Sequence, residues 1–204
     1  MFRLTIIRLA VGVLLMMSIT LAMDLGVRGG LSFSTLHGDD VAECGWRQGM
    51  CVGVSTEYSI LGLVAIQPEL LYVQKGAKCD VDPFTGTDIG ETYTVKLDYL
   101  QLPVLAAMSV PLPSLVKPRI FAGPYVAYNL KAQGSYANAS PTDLDFIKAF
   151  DYGAVVGIGT DLDFLIAKVM LDGRYTFGLA SIHEDGDDVK NRTISVMVGL
   201  LLNF

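Results

Sequence analysis

The chain has 204 residues, of which 51% are hydrophobic, with 21 Gly and a net charge of −6. So much apolar surface excludes a disordered chain, and the length suits one domain. A bundle of membrane-crossing helices is excluded too: each needs about 20 consecutive apolar residues, and the one such run lies in the first two dozen positions. That run, residues 1–22, reads as an export signal. Arg3 and Arg8 give the basic start, Leu9 onward the apolar stretch, and Thr20-Leu21-Ala22 a small-residue cleavage site. A retained anchor helix is the alternative, but the segment is short and nothing helical follows it. Cleavage takes the net charge from −6 to −8, which argues against nucleic acid as a partner, because phosphate backbones call for basic stripes.

After residue 22 period two dominates and period 3.6 is hard to find. Leu25, Val27, Gly29, Leu31 and Phe33 alternate with Gly26, Arg28, Gly30, Ser32 and Ser34. Met50, Val52, Val54, Thr56, Tyr58 and Ile60 alternate with Cys51, Gly53, Ser55, Glu57 and Ser59, and Ile66, Pro68, Leu70 and Tyr72 with Gln67, Glu69, Leu71 and Val73. A fourth run covers about 92–108; its apolar phase shifts near Asp98-Tyr99, from Val95 and Leu97 to Leu100, Leu102 and Val104, which implies a bulge or an ambiguous register. Four more runs follow, centred on Ile120 to Leu130, Tyr152 to Leu162, Val169 to Phe177 and Ile194 to Phe204. That makes eight strands. The connections at 61–63, 109–117 and 163–165 are short, while 35–48, 76–91, 132–149 and 180–190 are long and polar. Alternating short and long connections predict an all-β, eight-stranded antiparallel up-and-down transmembrane barrel with short periplasmic turns and longer acidic outer loops.

A soluble sandwich or a lipocalin-like ligand-binding barrel would alternate as well. The polar phase decides between them. It is rich in Gly and Ser, and its charges balance: Arg28, Arg119, Lys131, Lys168 and Arg174 against Glu57, Glu69, Asp151, Asp161 and Asp172. The apolar phase carries almost no charge, unlike the mixed Lys and Glu of a water-exposed face. Lipid is therefore expected outside and the polar phase in the lumen. Phe33, Tyr72, Tyr128, Tyr175 and Phe177 sit in the apolar phase near the loop-side strand ends, where an interfacial girdle belongs. Phe204 closes the last alternating strand and resembles the C-terminal signal that outer-membrane barrels present to their assembly machinery.

On these residues the chain resembles the small outer-membrane β-barrel ("porin family") proteins of the Bacteroidetes group and relatives. The shared segments are Gly26-Val27-Arg28-Gly29-Gly30-Leu31, Gln67-Pro68-Glu69-Leu70-Leu71-Tyr72, Leu97-Asp98-Tyr99-Leu100-Gln101-Leu102-Pro103, Phe121-Ala122-Gly123-Pro124-Tyr125 and Asp172-Gly173-Arg174-Tyr175, with Lys190-Asn191-Arg192 before the last strand. The resemblance implies fold and membrane, not one activity. The three cysteines depart from it.

Candidate sites are few. Eight strands enclose an interior just wide enough for side chains, so charges there must pair or stay hydrated. The predicted lumen network is Arg28, Glu57, Glu69, Lys131, Asp172 and Arg174, with Asp172 and Arg174 as its surest pair. Such a lumen is largely closed; the alternative is a porin passing small solutes. His37 and His183 have acids beside them in sequence, but a triad is a matter of geometry, so no enzyme is expected. Asp80, Asp82, Asp88 and Glu91 mimic four positions of a calcium loop, yet Phe84 takes a ligand position and Gly86 comes one place late. A solvated acidic rim, bridged by divalent ions to lipopolysaccharide phosphates, is the simpler reading. Among Cys44, Cys51 and Cys79 one disulfide, involving Cys44, stands beside three free thiols. The Asn138 and Asn191 glycosylation patterns are discounted in a bacterial barrel. The expected partners are outer-membrane lipid, lipopolysaccharide and the barrel assembly machinery, with a monomer and no cofactor.

Overall fold

Strand formation follows from the alternation, since residues two apart share a face of a pleated strand. The computed structural model describes residues 24–38, 44–60, 64–81, 88–110, 115–136, 140–183 and 189–202, with backbone only at 81 and 88–91. The segment read as an export signal and the terminal Phe204 lie outside the described residues. The long strands are β1 (Asp24–His37), β2 (Cys44–Ile60), β3 (Val64–Val81), β4 (Asp88–Ser109), β5 (Val116–Tyr136), β7 (Phe150–Asp163), β8 (Ala167–Gly178) and β9 (Lys190–Leu202). A two-residue strand, β6 (Thr142–Asp143), adds to β5. Every long strand pairs antiparallel with its neighbour in sequence, and β1 pairs with β9, so the eight close into a barrel with no free edge.

Two faces result. On β9, Ile194, Val196, Val198, Leu200 and Leu202 are exposed, while Thr193, Ser195, Met197, Gly199 and Leu201 are buried. The same outward apolar rows run along β1 (Leu25, Val27, Leu31), β2 (Val52, Val54) and β4 (Leu100, Leu102, Val104). Register then levels the aromatic residues. Tyr72, Leu100, Tyr128 and Phe150 lie opposite one another on four consecutive strands, with Tyr128 and Phe150 edge to face at 5.3 Å. Phe33, Ile194 and Tyr175 form the matching row on β1, β9 and β8.

The phase shift expected near Asp98-Tyr99 coincides with a register shift between β4 and β5, but the inward phase of β4 itself is kept. In β4 the inward residues are Tyr93, Val95, Leu97, Tyr99, Gln101, Pro103, Leu105 and Ala107, without a break. What changes is polarity. Near the loops the inside is apolar and the outside polar (Lys96, Asp98); below Tyr99 the outside is apolar. The extra residue sits in the partner strand instead: Tyr99 faces Asn129 and Asp98 faces Lys131, leaving Leu130 as a bulge in β5.

The strands extend beyond the predicted ends on the loop side, taking in 44–48 and 76–81. There Cys44 and Cys79 are direct cross-strand partners and form a disulfide with Cα atoms 4.4 Å apart; Cys51 is free and buried in the barrel. Residues from the long connections fold over this end. Lys148 N donates to Ile182 O (2.8 Å) and Ile182 N to Val189 O (2.8 Å), and Leu144, Ile147, Ile182 and Val189 join Leu36, Val95 and Leu97 in one buried apolar cluster.

Candidate functional site

Alternation sends every second residue inward, and register decides which inward residues meet. The lower half of the lumen brings four cations and four acids together. Arg28 comes from β1, Glu57 from β2, Glu69 from β3, Arg119 from β5 and Asp161 from β7, while Lys168, Asp172 and Arg174 all come from β8. Arg174 grips Glu69 with both ends of its guanidinium (Nη1–Oε2 2.6 Å, Nη2–Oε1 2.9 Å) and also donates to Asp172 Oδ2 at 2.9 Å. Arg119 Nη2 donates to Asp172 Oδ1 at 2.6 Å, and Arg28 Nη1 donates to the other oxygen of the same carboxylate. Three arginines from three strands therefore converge on Asp172. Arg119 also reaches Asp161 (3.2 Å), and Lys168 binds Glu57 (2.6 Å). Gln67 donates to Glu69 and accepts from Arg119 Nη1 at 3.0 Å. The guanidinium groups of Arg119 and Arg174 both lie against the Phe121 ring, each 5.2 Å from its centre. Small residues make this possible: a side chain at Gly157 would collide with the Phe121 ring, and one at Gly159 with Asp172.

A second polar tier stands nearer the loops. Lys75 is fully buried, 3.3 Å from Asp151, with its ammonium 4.9 Å and 4.7 Å from the ring centres of Tyr99 and Tyr125. Tyr125 Oη donates to Asp151 at 3.1 Å, and Asn191 Nδ2 donates to the same oxygen at 3.1 Å. Between the tiers is a space of about 10 Å³ lined by Cys51, Leu71, Gln101, Arg174 and Met197, roughly the room for one water. The loop-side apolar cluster sits above.

Of the predicted lumen residues, Arg28, Glu57, Glu69, Asp172 and Arg174 meet in the lower tier; Lys131 does not. The Leu130 bulge flips its phase, so Lys131 stands exposed and lines an open outer hollow with Asp143 and Asp145. Lys75 takes the cation place that phase counting had given to Lys131. It was detectable, because it continues the inward series Gln67, Glu69, Leu71, Val73. His183 is buried beside Phe146, ring centres 5.3 Å apart, while His37 is exposed at the end of β1; neither joins an ionic tier. Of the calcium-like residues only the Asp80 side chain is described, exposed and accepting from Thr92 Oγ1 at 3.5 Å.

A lipid-facing apolar wall, a girdle and a charged lumen are joined by one further finding: residues 18–184 match the outer membrane protein beta-barrel domain. The chain belongs to that family. Its place is the outer membrane, and its fold is the closed eight-stranded barrel of that group. No curated protein matches the sequence. Among solved structures, the barrel is similar to Neisserial surface protein A, at 17% identity over 88% of this chain and 97% of that one, with a TM-score of 0.52. It is also similar to the outer membrane protein OprG from Pseudomonas aeruginosa, at 11% identity over 90% of this chain and 96% of that one, with a TM-score of 0.50. At such identities the likeness concerns the fold. For an outer membrane barrel of this family, the question the site poses is whether the lumen conducts.

Proposed function

We propose that the chain is a non-enzymatic outer membrane barrel with a lumen shut by paired charges, serving a structural or surface-interaction role through its loop-side end. The observation that carries this reading is the convergence of Arg28, Arg119 and Arg174, from β1, β5 and β8, on Asp172. Side chains from walls that far apart in the ring can meet only by crossing the interior. To pass a solute, several desolvated and mutually bonded charges would have to separate, and breaking one buried pair costs about 3–5 kcal/mol. The Lys75–Asp151 tier and the apolar cluster stand in series with that barrier.

The reading includes a monomer exported by residues 1–22, assembled through the signal ending at Phe204, and held in lipid and lipopolysaccharide. Segments such as Gln67-Pro68-Glu69-Leu70 support a source in the Bacteroidetes group or its relatives. Purified protein in planar bilayers tests the closed lumen: no unitary conductance is expected. Stable conductance steps from the intact protein would establish the porin alternative instead.

A further inference from the structure

A guanidinium carries donors on three nitrogens, and Arg174 uses only two of them on carboxylates. Its Nη1 and Nη2 bind Glu69 and Asp172, while Nε has no hydrogen-bond partner among the described residues. Gln101 Oε1 has none either. The two residues are only 5% and 4% exposed, so bulk water does not supply the match. Both border the space of about 10 Å³ between the tiers, together with Cys51, Thr176 and Ser195. Gln101 comes from β4 and Arg174 from β8, with β5 and β7 between them in the sheet.

Leaving a buried polar atom unmatched forfeits its hydration, and here two such atoms belong to residues around one space. They are of opposite kind. Arg174 Nε–H is a donor and Gln101 Oε1 an acceptor, so one occupant that serves both must accept from the first and donate to the second. A chloride ion cannot donate to the amide oxygen, and a metal ion cannot accept from the guanidinium. Charge calls for neither. The lumen cations Arg28, Lys75, Arg119, Lys168 and Arg174 are paired with Glu57, Glu69, Asp151, Asp161 and Asp172. A space of this size admits about one non-hydrogen atom. Water is neutral, has one such atom, and both donates and accepts. The Thr176 and Ser195 hydroxyls can rotate to give it a third partner.

We infer that a single water molecule is bound between Arg174 and Gln101 as a fixed part of the lumen. It accepts from Arg174 Nε–H and donates to Gln101 Oε1, and so ties β4, which gives no side chain to the ion pairs of the lower tier, to β8 across the interior. The bridge belongs to the lower tier. Lys75 also borders the space, but its ammonium is engaged by Asp151 and the rings of Tyr99 and Tyr125. The inference rests on the reading of a closed lumen, because only an interior cut off from bulk solvent holds one water in place while the ion pairs around it stay shut.

The test uses the full chain, isotope-labelled and folded in detergent micelles, with water itself as the probe. Nuclear Overhauser transfer from water to Arg174 Nε–H should carry the sign of a molecule that tumbles with the protein. Gln101→Met keeps the length of the side chain but offers no amide oxygen, and it should abolish that transfer. Met197→Leu changes the same lining without touching a hydrogen bond to the water, is a volume-conserving exchange, and should retain it. No transfer in the wild type, or unchanged transfer in Gln101→Met, would overturn the inference. So would an anomalous bromide peak in the space in crystals grown from sodium bromide, which would mean an anion held by a reversed Gln101 amide. Should Gln101→Met give no folded, heat-shifted band on gels, the wild-type transfer decides alone. Planar-bilayer recording separates the two failures: conductance steps refute the closed lumen, whereas a silent barrel without the transfer refutes only the water site.

Discussion

Glu69 and Arg174 meet inside the barrel as a two-pronged pair, with both nitrogen–oxygen distances below 3 Å (2.6 and 2.9 Å) although 105 residues separate them in sequence. Their strands, β3 and β8, are not neighbours in the sheet, so the pair spans the interior instead of reinforcing one hairpin. Asp172 extends it to two further arginines.

Removing the shared acid should therefore be the costliest single change in the lumen. Asp172→Asn keeps the shape but leaves three guanidinium groups with one fewer countercharge. An uncompensated buried charge costs about 3–5 kcal/mol, read as a lower urea midpoint for unfolding from lipid vesicles. Glu57→Gln, at the partly open Lys168 end, should cost clearly less. Conductance measured alongside should rise in Asp172→Asn and stay near zero in Glu57→Gln. Equal effects of the two would mean that Asp172 is not the hub.

The two polar tiers should behave as separate units. Arg119 and Asp172 are in direct contact, so Arg119→Gln and Asp172→Asn should couple by about 0.5–3 kcal/mol in a double-mutant cycle. Lys75→Met with Asp172→Asn shares no partner and should be additive within about 0.5 kcal/mol. Strong coupling in the second cycle would show one continuous network.

Lys75 and Lys131 form the sharpest contrast between sequence and structure. Lys75→Ala empties a site between two tyrosines and strands Asp151, so a loss of several kcal/mol is expected; Lys131→Ala alters an exposed side chain and should stay within about 0.5 kcal/mol. Comparable losses would return Lys131 to the interior.

That contrast also shows what alternation can reveal. Strand β9 is legible at once, because each inward and outward residue keeps its phase for thirteen positions. The lower tier was legible for the same reason. Lys131 was misassigned because one bulged residue, Leu130, inverts every later position in β5, and nothing in the local sequence marks it. The bulge expected near Asp98-Tyr99 does fall there in the β4–β5 register, though its extra residue belongs to β5; in β4 itself the barrel reverses its apolar face where it leaves the lipid band, so that Val95 and Leu97 inside belong with Leu100 and Leu102 outside in one strand. The apolar cluster above Lys75 was out of reach: Leu144, Ile147, Ile182 and Val189 come from long connections, and only tertiary docking brings them together.

The cysteines test both the loop-side staple and the sealed interior. Cys44 and Cys79 link positions 35 apart in sequence, and closing a loop of that length is worth about 3–4 kcal/mol in the chain-entropy view. Cys44→Ser/Cys79→Ser should lower the unfolding free energy by about 2–4 kcal/mol, read from urea unfolding, and leave the lower ionic tier intact. Cys51 reports on that tier from within, because its thiol is buried in the barrel interior and lines the space beside Arg174. In the folded double variant a maleimide reagent should leave Cys51 unlabelled for hours, then label it completely once the chain unfolds in urea. Rapid labelling of the folded protein would mean that water and reagent reach the middle of the lumen, and with it that the charged tiers do not seal the barrel.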